Sequence, residues 1–276
     1  MILFILHIIF SILLTFIGYN AINPSLSLVI NVIIVLALFI LSFIIITLLL
    51  FIFFIVAFLI AGNRNPKGMF KHHLLTFYSR YIYKVFYRVK VEVIGKEYLP
   101  KNNKFVVYSN HIEYSDPIYI KQVFNNHPVA FISKESLFKV KIIKMVLEGI
   151  GCIPISRVAD KSALNSIVEG IKAVKNGQPF GIFPEGKRTY SHETIDFKPG
   201  SFKLATKAKA DIIPVCLYNM HEIYRKGRKG IAKVKVVILP PITENEYKEM
   251  DTADLAMLVK NNIDTCLMKL NTNQLI

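Results

Sequence analysis

Two residue types at a telling spacing, His111 and Asp116, stand in the stretch VVYSNHIEYSDP between Val106 and Pro117. Imidazole titrates near neutral pH, and a carboxylate on its second nitrogen holds the tautomer and steadies the imidazolium that forms when a proton is taken. An apolar strand runs out into Asn110 and His111. Asp116-Pro117 before an apolar run predicts a helix start, with Asp as N-cap and Pro at the first helical position. Residues 112–115 would be the turn that folds the pair together. The same residues also fit a plain helix cap beside a polar loop histidine, so the pair needs company before it means catalysis.

Three further clusters lie at the ends of predicted strands, where α/β proteins place their ligands. Gly151-Cys-Ile-Pro-Ile-Ser-Arg157 delivers Arg157 at a strand end. Phe183-Pro-Glu-Gly-Lys-Arg-Thr189 is a strand broken by Pro184 and Gly186 into a turn that presents Glu185, Lys187, Arg188 and Thr189. Ile213-Pro214-Val215 puts proline inside a strand, which demands a sheet edge or a bulge. Two arginines such as Arg157 and Arg188 make a bidentate clamp for phosphate or carboxylate. Taken singly, Arg157 also fits a solvated strand end, the Gly186 turn a simple turn, and Ile-Pro-Val an edge-strand packing site.

The elements that must position these residues alternate in type. Strands are expected at Val89–Ile94, Phe105–Tyr108, Val129–Ile132, Cys152–Ile155, Phe180–Phe183, Ile212–Leu217 and Val234–Leu239. Helices are expected at Pro117–Phe124, Ser136–Glu148, Lys161–Lys175 and Ser201–Lys209, with a last helix after the Thr243-x-x-Glu246 capping box. This alternation predicts an α/β domain, a sheet flanked by helices.

Ahead of it, residues 1–60 hold no Asp, Glu, Lys or Arg. Leu28 to Ile60 would reach about 50 Å as one helix, more than the roughly 30 Å hydrocarbon core of a bilayer. Ile2 to Ile17 is a second, shorter candidate span, and Asn20, Asn23 and Pro24 are suited to a hairpin between the two. The whole net charge of +15 therefore falls after the apolar segment. Arg64, Lys67, Lys71, Arg80, Lys84, Arg88 and Lys90 follow at once, which predicts a cytoplasmic domain on a cell membrane. Apolar residues from Phe70 to Phe86 recur at helical spacing between these bases, as in a helix lying in the headgroup region or packed on its own domain. The expected organisation is a membrane-spanning or anchoring segment over 1–62 (one or two helices), a basic interfacial helix over 63–90, and an α/β domain over 91–276.

A basic, membrane-tethered domain suits an anionic bilayer surface and phosphate-bearing ligands. No zinc spacing, aromatic RNA-binding signature or basic run supports nucleic acid as a partner. Three scattered cysteines, Cys152, Cys216 and Cys266, read as reduced packing residues. His72, His73 and the other histidines outside the first block have no motif partner, and His72-His73 reads as interfacial.

Asn110-His111-x4-Asp116, Gly151-x4-Ser-Arg157, Phe183-Pro-Glu-Gly-x-Arg188-Thr189 and Ile213-Pro-Val215, in this order, resemble the four blocks of the glycerolipid acyltransferase family. The resemblance is to its 1-acylglycerol-3-phosphate acyltransferases above all, and it covers roughly residues 70–240. It implies that His111 deprotonates the sn-2 hydroxyl of lysophosphatidic acid and that Asp116 orients it. It further implies that Arg157, Glu185, Gly186, Lys187, Arg188 and Thr189 cradle the glycerol phosphate, with Pro214 and Val215 on the acyl-donor side. Acyl-CoA or acyl carrier protein would be the co-substrate, with no metal or redox cofactor. Glycerol 3-phosphate or another lysolipid, including an ornithine-type one, are the other acceptors in that class. A non-catalytic binder of anionic lipid is the reading from another class. The chain departs from the family pattern at Glu113, where many members have Ser, and at Lys187-Arg188-Thr189, where Thr-Arg-Ser is common. Lys187 adds a positive charge beside Arg188 and favours a phosphate-bearing acceptor.

Overall fold

Composition divides the chain before topology does. A computed structural model describes residues 2–22, 26–62, 65–156, 161–272 and 274. It resolves into two units, Met1–Ala61 and Gly62–Ile276.

The first unit is a pair of helices, α1 (Ile2–Ile22) and α2 (Leu28–Ala61). Both are long and apolar enough to cross a membrane, and most of their side chains are not buried. Contacts of His7 with Phe43 and of Gly18 with Leu38 show that the two run antiparallel. His7, Ser11, Thr15 and Ser42 are turned inward. His7, Ser11 and Thr15 form one stripe on α1; His7 Nε2 lies 3.1 Å from the Phe43 carbonyl and Thr15 Oγ1 donates to Ser42 Oγ at 3.3 Å. In a lipid phase such groups have no water to bond, so they settle between helices. Asn23 and Pro24 of the expected hairpin lie outside the described residues.

The second unit begins with α3 (Met69–Val85) and β1 (Val89–Ile94), followed by β2 (Phe105–Ser109), α4 (Asp116–Val123), β3 (Ala130–Lys134) and α5 (Lys141–Gly149). Next come β4 (Ile153–Ile155), α6 (Lys161–Lys175), β5 (Phe180–Ile182), α7 (Lys203–Ala208), β6 (Asp211–Tyr218) and β7 (Ala232–Ile238). The chain closes with α8 (Glu244–Tyr247) and α9 (Thr252–Asn271). Among the described residues seven strands form one mixed sheet in the order β1-β7-β6-β2-β5-β3-β4, in which only β6 and β7 pair antiparallel. Its centre is apolar on both faces: every residue of β2 is buried, as expected of a strand covered by helices above and below. α9 lays Leu255, Val259, Ile263 and Leu270 onto the domain, each at most 3 % exposed. Burial of such a side chain contributes about 1.5–3 kcal/mol.

Several sequence expectations change in detail. The boundary set between residues 90 and 91 falls inside β1, and α3 belongs to the same compact unit as the sheet. The helix expected over Ser136–Glu148 is two pieces, a 3-10 turn at Glu135–Lys139 and then α5. Ser201–Lys209 splits likewise into a 3-10 turn at Pro199–Phe202 and α7. The Thr243 capping box is present but heads only the single turn α8, while the long last helix takes Asp251 as its own N-cap. Arg64 lies outside the described residues. His72 is not interfacial but buried, because α3 turns Lys71, His72, Thr76 and Ser79 onto the domain while Phe70 and Phe77 stay exposed.

Pro214 sits in β6, a central strand rather than an edge. The bulge alternative holds on the partner side, where Val215 pairs with Ile238 but Ile212 pairs with Ile242. Three residue steps on β6 thus face four on the partner, and the missing proline N–H falls where that ladder is already broken.

Candidate active site

The parallel strands β2, β5, β3 and β4 all end on the same edge of the sheet, and β2 and β5 are neighbours. That adjacency brings His111, two residues past β2, against the Phe183–Arg188 turn that follows β5. A cavity of about 610 Å³ opens there, within the range usual for small-molecule sites.

His111 Nδ1 is 2.8 Å from Asp116 Oδ2. The imidazole stacks on Phe183 with ring centroids 4.1 Å apart, so its plane is set from one side and its edge from another. With Nδ1 committed to the carboxylate, Nε2 is the ring atom left to exchange a proton, and His111 lines the cavity. Asp116 is fully buried. It is the first residue of α4 rather than its cap; Ser115 takes the cap position and makes no side-chain cap bond. The Asp116 carboxylate instead turns back over the preceding turn, where Oδ2 also accepts the N–H groups of Ile112 at 2.6 Å and Glu113 at 2.8 Å. Burial pushes its carboxyl above the ordinary range, and the bonds from His111, Glu113 and Ile112 oppose that push.

The turn after β5 braces the histidine through its backbone. His111 N donates to Glu185 Oε1 at 3.0 Å, Thr189 N donates to the His111 carbonyl at 2.9 Å, and Tyr190 N donates to the Ile112 carbonyl at 3.3 Å. Thr189 Oγ1 reaches the same His111 carbonyl at 3.3 Å. Glu185 is 3 % exposed, and burial pushes its carboxyl up to about 8. Glu185 and Thr189 thus hold the His111 segment, whereas Gly186, Lys187 and Arg188 line the cavity. Arg188 is held in turn, its guanidinium carbon 3.3 Å above the Tyr114 ring and 5.4 Å from that of Tyr190. Arg157 lies outside the described residues; Ser156 before it is part of the lining. Pro214 and Val215 are buried in mid-sheet and are absent from the cavity wall, and Val215 pairs with Ser109 at the end of β2. Their placement is that of a support beneath the loop.

Two supports were given no role by the motifs, although Asn110 opens the first block. Asn110 forms a reciprocal pair with β6, donating to the Leu217 carbonyl at 2.9 Å and accepting the Leu217 N–H at 2.8 Å. It extends the β2–β6 pairing by a side chain and fixes where His111 leaves the sheet. Tyr114 is named by the turn sequence but not by any chemistry until Arg188 is seen stacked on it.

The cavity is divided chemically. Lys134, Lys187, Arg188, Lys198 and Lys203 supply five cations, and no Asp or Glu belongs to the lining among the described residues. Phe131, Ile132, Leu137, Ile155, Leu164, Ile167 and Ile182 supply an apolar wall. A histidine–carboxylate pair beside both a basic and an apolar surface suits an amphiphile with an anionic head.

Comparison with known proteins identifies the family. The family model named Acyltransferase matches residues 90–218. A 1-acyl-sn-glycerol-3-phosphate acyltransferase of Borreliella burgdorferi is 32 % identical over 178 residues, covering 63 % of this chain and 70 % of that protein. The mouse 1-acyl-sn-glycerol-3-phosphate acyltransferase alpha is 27 % identical over 216 residues, covering 77 % and 74 %. The crystal structure of the 1-acyl-sn-glycerophosphate acyltransferase PlsC from Thermotoga maritima superposes with a TM-score of 0.63 over 72 % of this chain and 79 % of that one, at 24 % identity. The fold, a mixed α/β sheet flanked by helices, is thus shared with a solved acyltransferase. The chain belongs to the acyltransferase family of glycerolipid synthesis. Within that family its relatives are named for acylating 1-acyl-sn-glycerol 3-phosphate, and its two apolar N-terminal helices are compatible with membrane association.

Proposed function

We propose that the protein transfers an acyl group from a thioester, acyl-CoA or acyl carrier protein, to the sn-2 hydroxyl of lysophosphatidic acid, making phosphatidic acid. One observation carries this reading: the His111–Asp116 pair borders a cavity with a basic part and an apolar part. His111 Nε2 takes the hydroxyl proton as the alcohol oxygen attacks the thioester carbonyl. The tetrahedral adduct then collapses, the C–S bond breaks, and the imidazolium returns the proton to the departing thiolate. Asp116 steadies the imidazolium between these events. Lys187 and Arg188, with Arg157, meet the acceptor phosphate. The apolar wall receives acyl chain. The chemistry asks for no metal or redox cofactor.

A lysolipid acceptor resides in the bilayer, which explains a catalytic unit tethered by apolar helices. The basic residues that follow them orient that unit to the cytoplasm and to an anionic surface, and the exposed Phe70 and Phe77 of α3 suit the same surface.

The deciding experiment offers the purified protein lysophosphatidic acid, glycerol 3-phosphate and lysophosphatidylcholine, each with acyl-CoA and with acyl carrier protein, beside His111→Ala. Phosphatidic acid from the wild type and none from the variant is the expected outcome. Transfer to another acceptor alone would overturn the substrate, and wild-type rates from His111→Ala would overturn the base. Lipid binding without turnover in any pairing would favour a non-catalytic lipid binder.

A further inference from the structure

Gly186 has a positive φ of 72°, which by itself accounts for glycine in the turn. Its neighbour supplies a second reason. A Cβ at this position would stand 2.8 Å from Lys198 Nζ, 3.2 Å from Cε and 3.8 Å from Cδ. The far half of the lysine stem therefore lies across the bare face of Gly186. The ammonium comes to rest at the turn that carries Lys187 and Arg188.

The backbone of Lys198 is pinned there on both sides. Its N–H donates to the Pro184 carbonyl at 3.0 Å, and its own carbonyl accepts Ser201 N at 3.1 Å and Ser201 Oγ at 2.7 Å. Pro184 and Gly186 flank Glu185, the residue that braces His111. The base and Lys198 are thus both fixed to one short turn.

Among the described residues nothing uses the Lys198 charge: no carboxylate pairs with it, and the cavity it lines together with His111 holds no acidic residue.

We propose that Lys198, which lies outside all four sequence blocks, is the cation that completes the acceptor-phosphate cradle, and that Gly186 is bare partly to admit it. This rests on the acceptor reading given above. Arg188 presents a planar fork whose one face is taken by Tyr114, so it bonds a phosphate edge-on. Lys187 and Lys198 bring ammonium groups to the same phosphate. An ammonium is a compact charge with three rotatable donors and adapts to whichever oxygens the fork leaves open.

The test uses the full-length protein in mixed micelles. Gly186→Ala would strain the backbone as well as displace the lysine, so the lysine itself is changed. Lys198→Met keeps an unbranched stem over Gly186 and removes the charge, Lys198→Arg keeps the charge, and Lys172→Met removes a surface charge on α6 as a control. Initial rates with lysophosphatidic acid are read beside calorimetric binding of glycerol 3-phosphate. Lys198→Met is expected to raise the KM for lysophosphatidic acid by about 10–100-fold, the worth of one hydrogen bond to a charged group. kcat stays within about twofold, and glycerol 3-phosphate affinity falls in parallel. Lys198→Arg recovers most of the loss, and Lys172→Met changes neither. Wild-type KM and wild-type glycerol 3-phosphate affinity in Lys198→Met would overturn the proposal, as would an equal loss in Lys172→Met. A wild-type enzyme that ignores lysophosphatidic acid yet binds glycerol 3-phosphate through Lys198 would sink the acceptor reading and leave the anion subsite standing.

Discussion

His111 and His72 both lie in the catalytic unit, and each is wired to a buried titratable partner, an acid for His111 and a base for His72. His111 meets the carboxylate of Asp116 and opens on a cavity. His72 is 1 % exposed; its Nε2 donates to the Pro66 carbonyl at 2.7 Å, and its Nδ1 accepts from the ammonium of Lys121. Lys121 also donates to the Val129 carbonyl at 3.1 Å. Burial pushes His72 down to about 3, with Lys121 adding to the effect, and burial pushes Lys121 down to about 7. A proton arriving at His111 finds a carboxylate to balance it. One arriving at His72 finds a second cation and almost no contact with solvent. The first arrangement can cycle a proton; the second is a strut that ties α3 to α4.

The largest effect that would break this contrast is on turnover. His111→Ala is expected to lower acyl transfer by about 10²–10⁴-fold with circular dichroism and melting unchanged in form. His72→Ala is expected to leave kcat within a few-fold but to lower the melting temperature, since it leaves Lys121 short of a partner.

Asp116→Asn comes next. The amide oxygen can still accept Ile112 and Glu113 N–H, so the turn survives, but the negative charge is gone. A fall in kcat of about 10²-fold or more is expected, with KM little changed. Retention of wild-type kcat would show that the carboxylate only shapes the turn.

Stability against pH sharpens the contrast, because buried groups at the two sites titrate in opposite senses. Glu185 beside His111 is an acid raised to about 8, so between about 4.5 and 8 the folded state holds a proton that the unfolded chain has lost. Its contribution to stability therefore falls as pH rises through that window. Lys121 beside His72 is a base lowered to about 7 from 10.5, so between those values the unfolded chain holds a proton that the folded state lacks. Its contribution rises with pH over that window. Cys152, raised to about 11 by burial, faces Lys121 and ionises only above most of that range. Denaturation across pH should show Glu185→Gln gaining on the wild type from pH 4.5 to 8. The wild type should gain on Lys121→Met from pH 7 to 10.5. Parallel curves for either variant would contradict the corresponding burial.

The smallest expected effect is at the cavity rim. Tyr114→Leu removes the ring beneath Arg188, an exposed cation–π contact worth about 0.5–1 kcal/mol. The KM for the acceptor is expected to rise two- to fivefold, measured by initial rates at fixed donor.

The two histidines were unequally legible in the sequence for a physical reason. His111 and Asp116 are joined by a tight turn, so their encounter is local and their spacing reports it. His72 and Lys121 are 49 residues apart and meet only because α3 docks on α4. The same distinction separates the other residues. β1 and α6 have the expected bounds, Val89–Ile94 and Lys161–Lys175, since alternation and helical spacing are short-range signals. The long helix expected over Ser136–Glu148 is interrupted at Val140, whose extended backbone no periodicity announces.

From its sequence alone, this chain is an apolar segment followed by a basic α/β domain, and four short blocks mark its family. Local patterning suffices for that, because helix period, strand alternation and turn chemistry act over a few residues. Tertiary structure decided which strand ends became neighbours, and with them the division of labour inside the third block. Glu185 and Thr189 brace the His111 backbone, Lys187 and Arg188 line the cavity, and Lys198 reaches in over Gly186. β2 and β5 are separated by more than seventy residues yet adjacent in the sheet. Contacts between loops that leave neighbouring strands exist only once the sheet has formed, so no local pattern can record them.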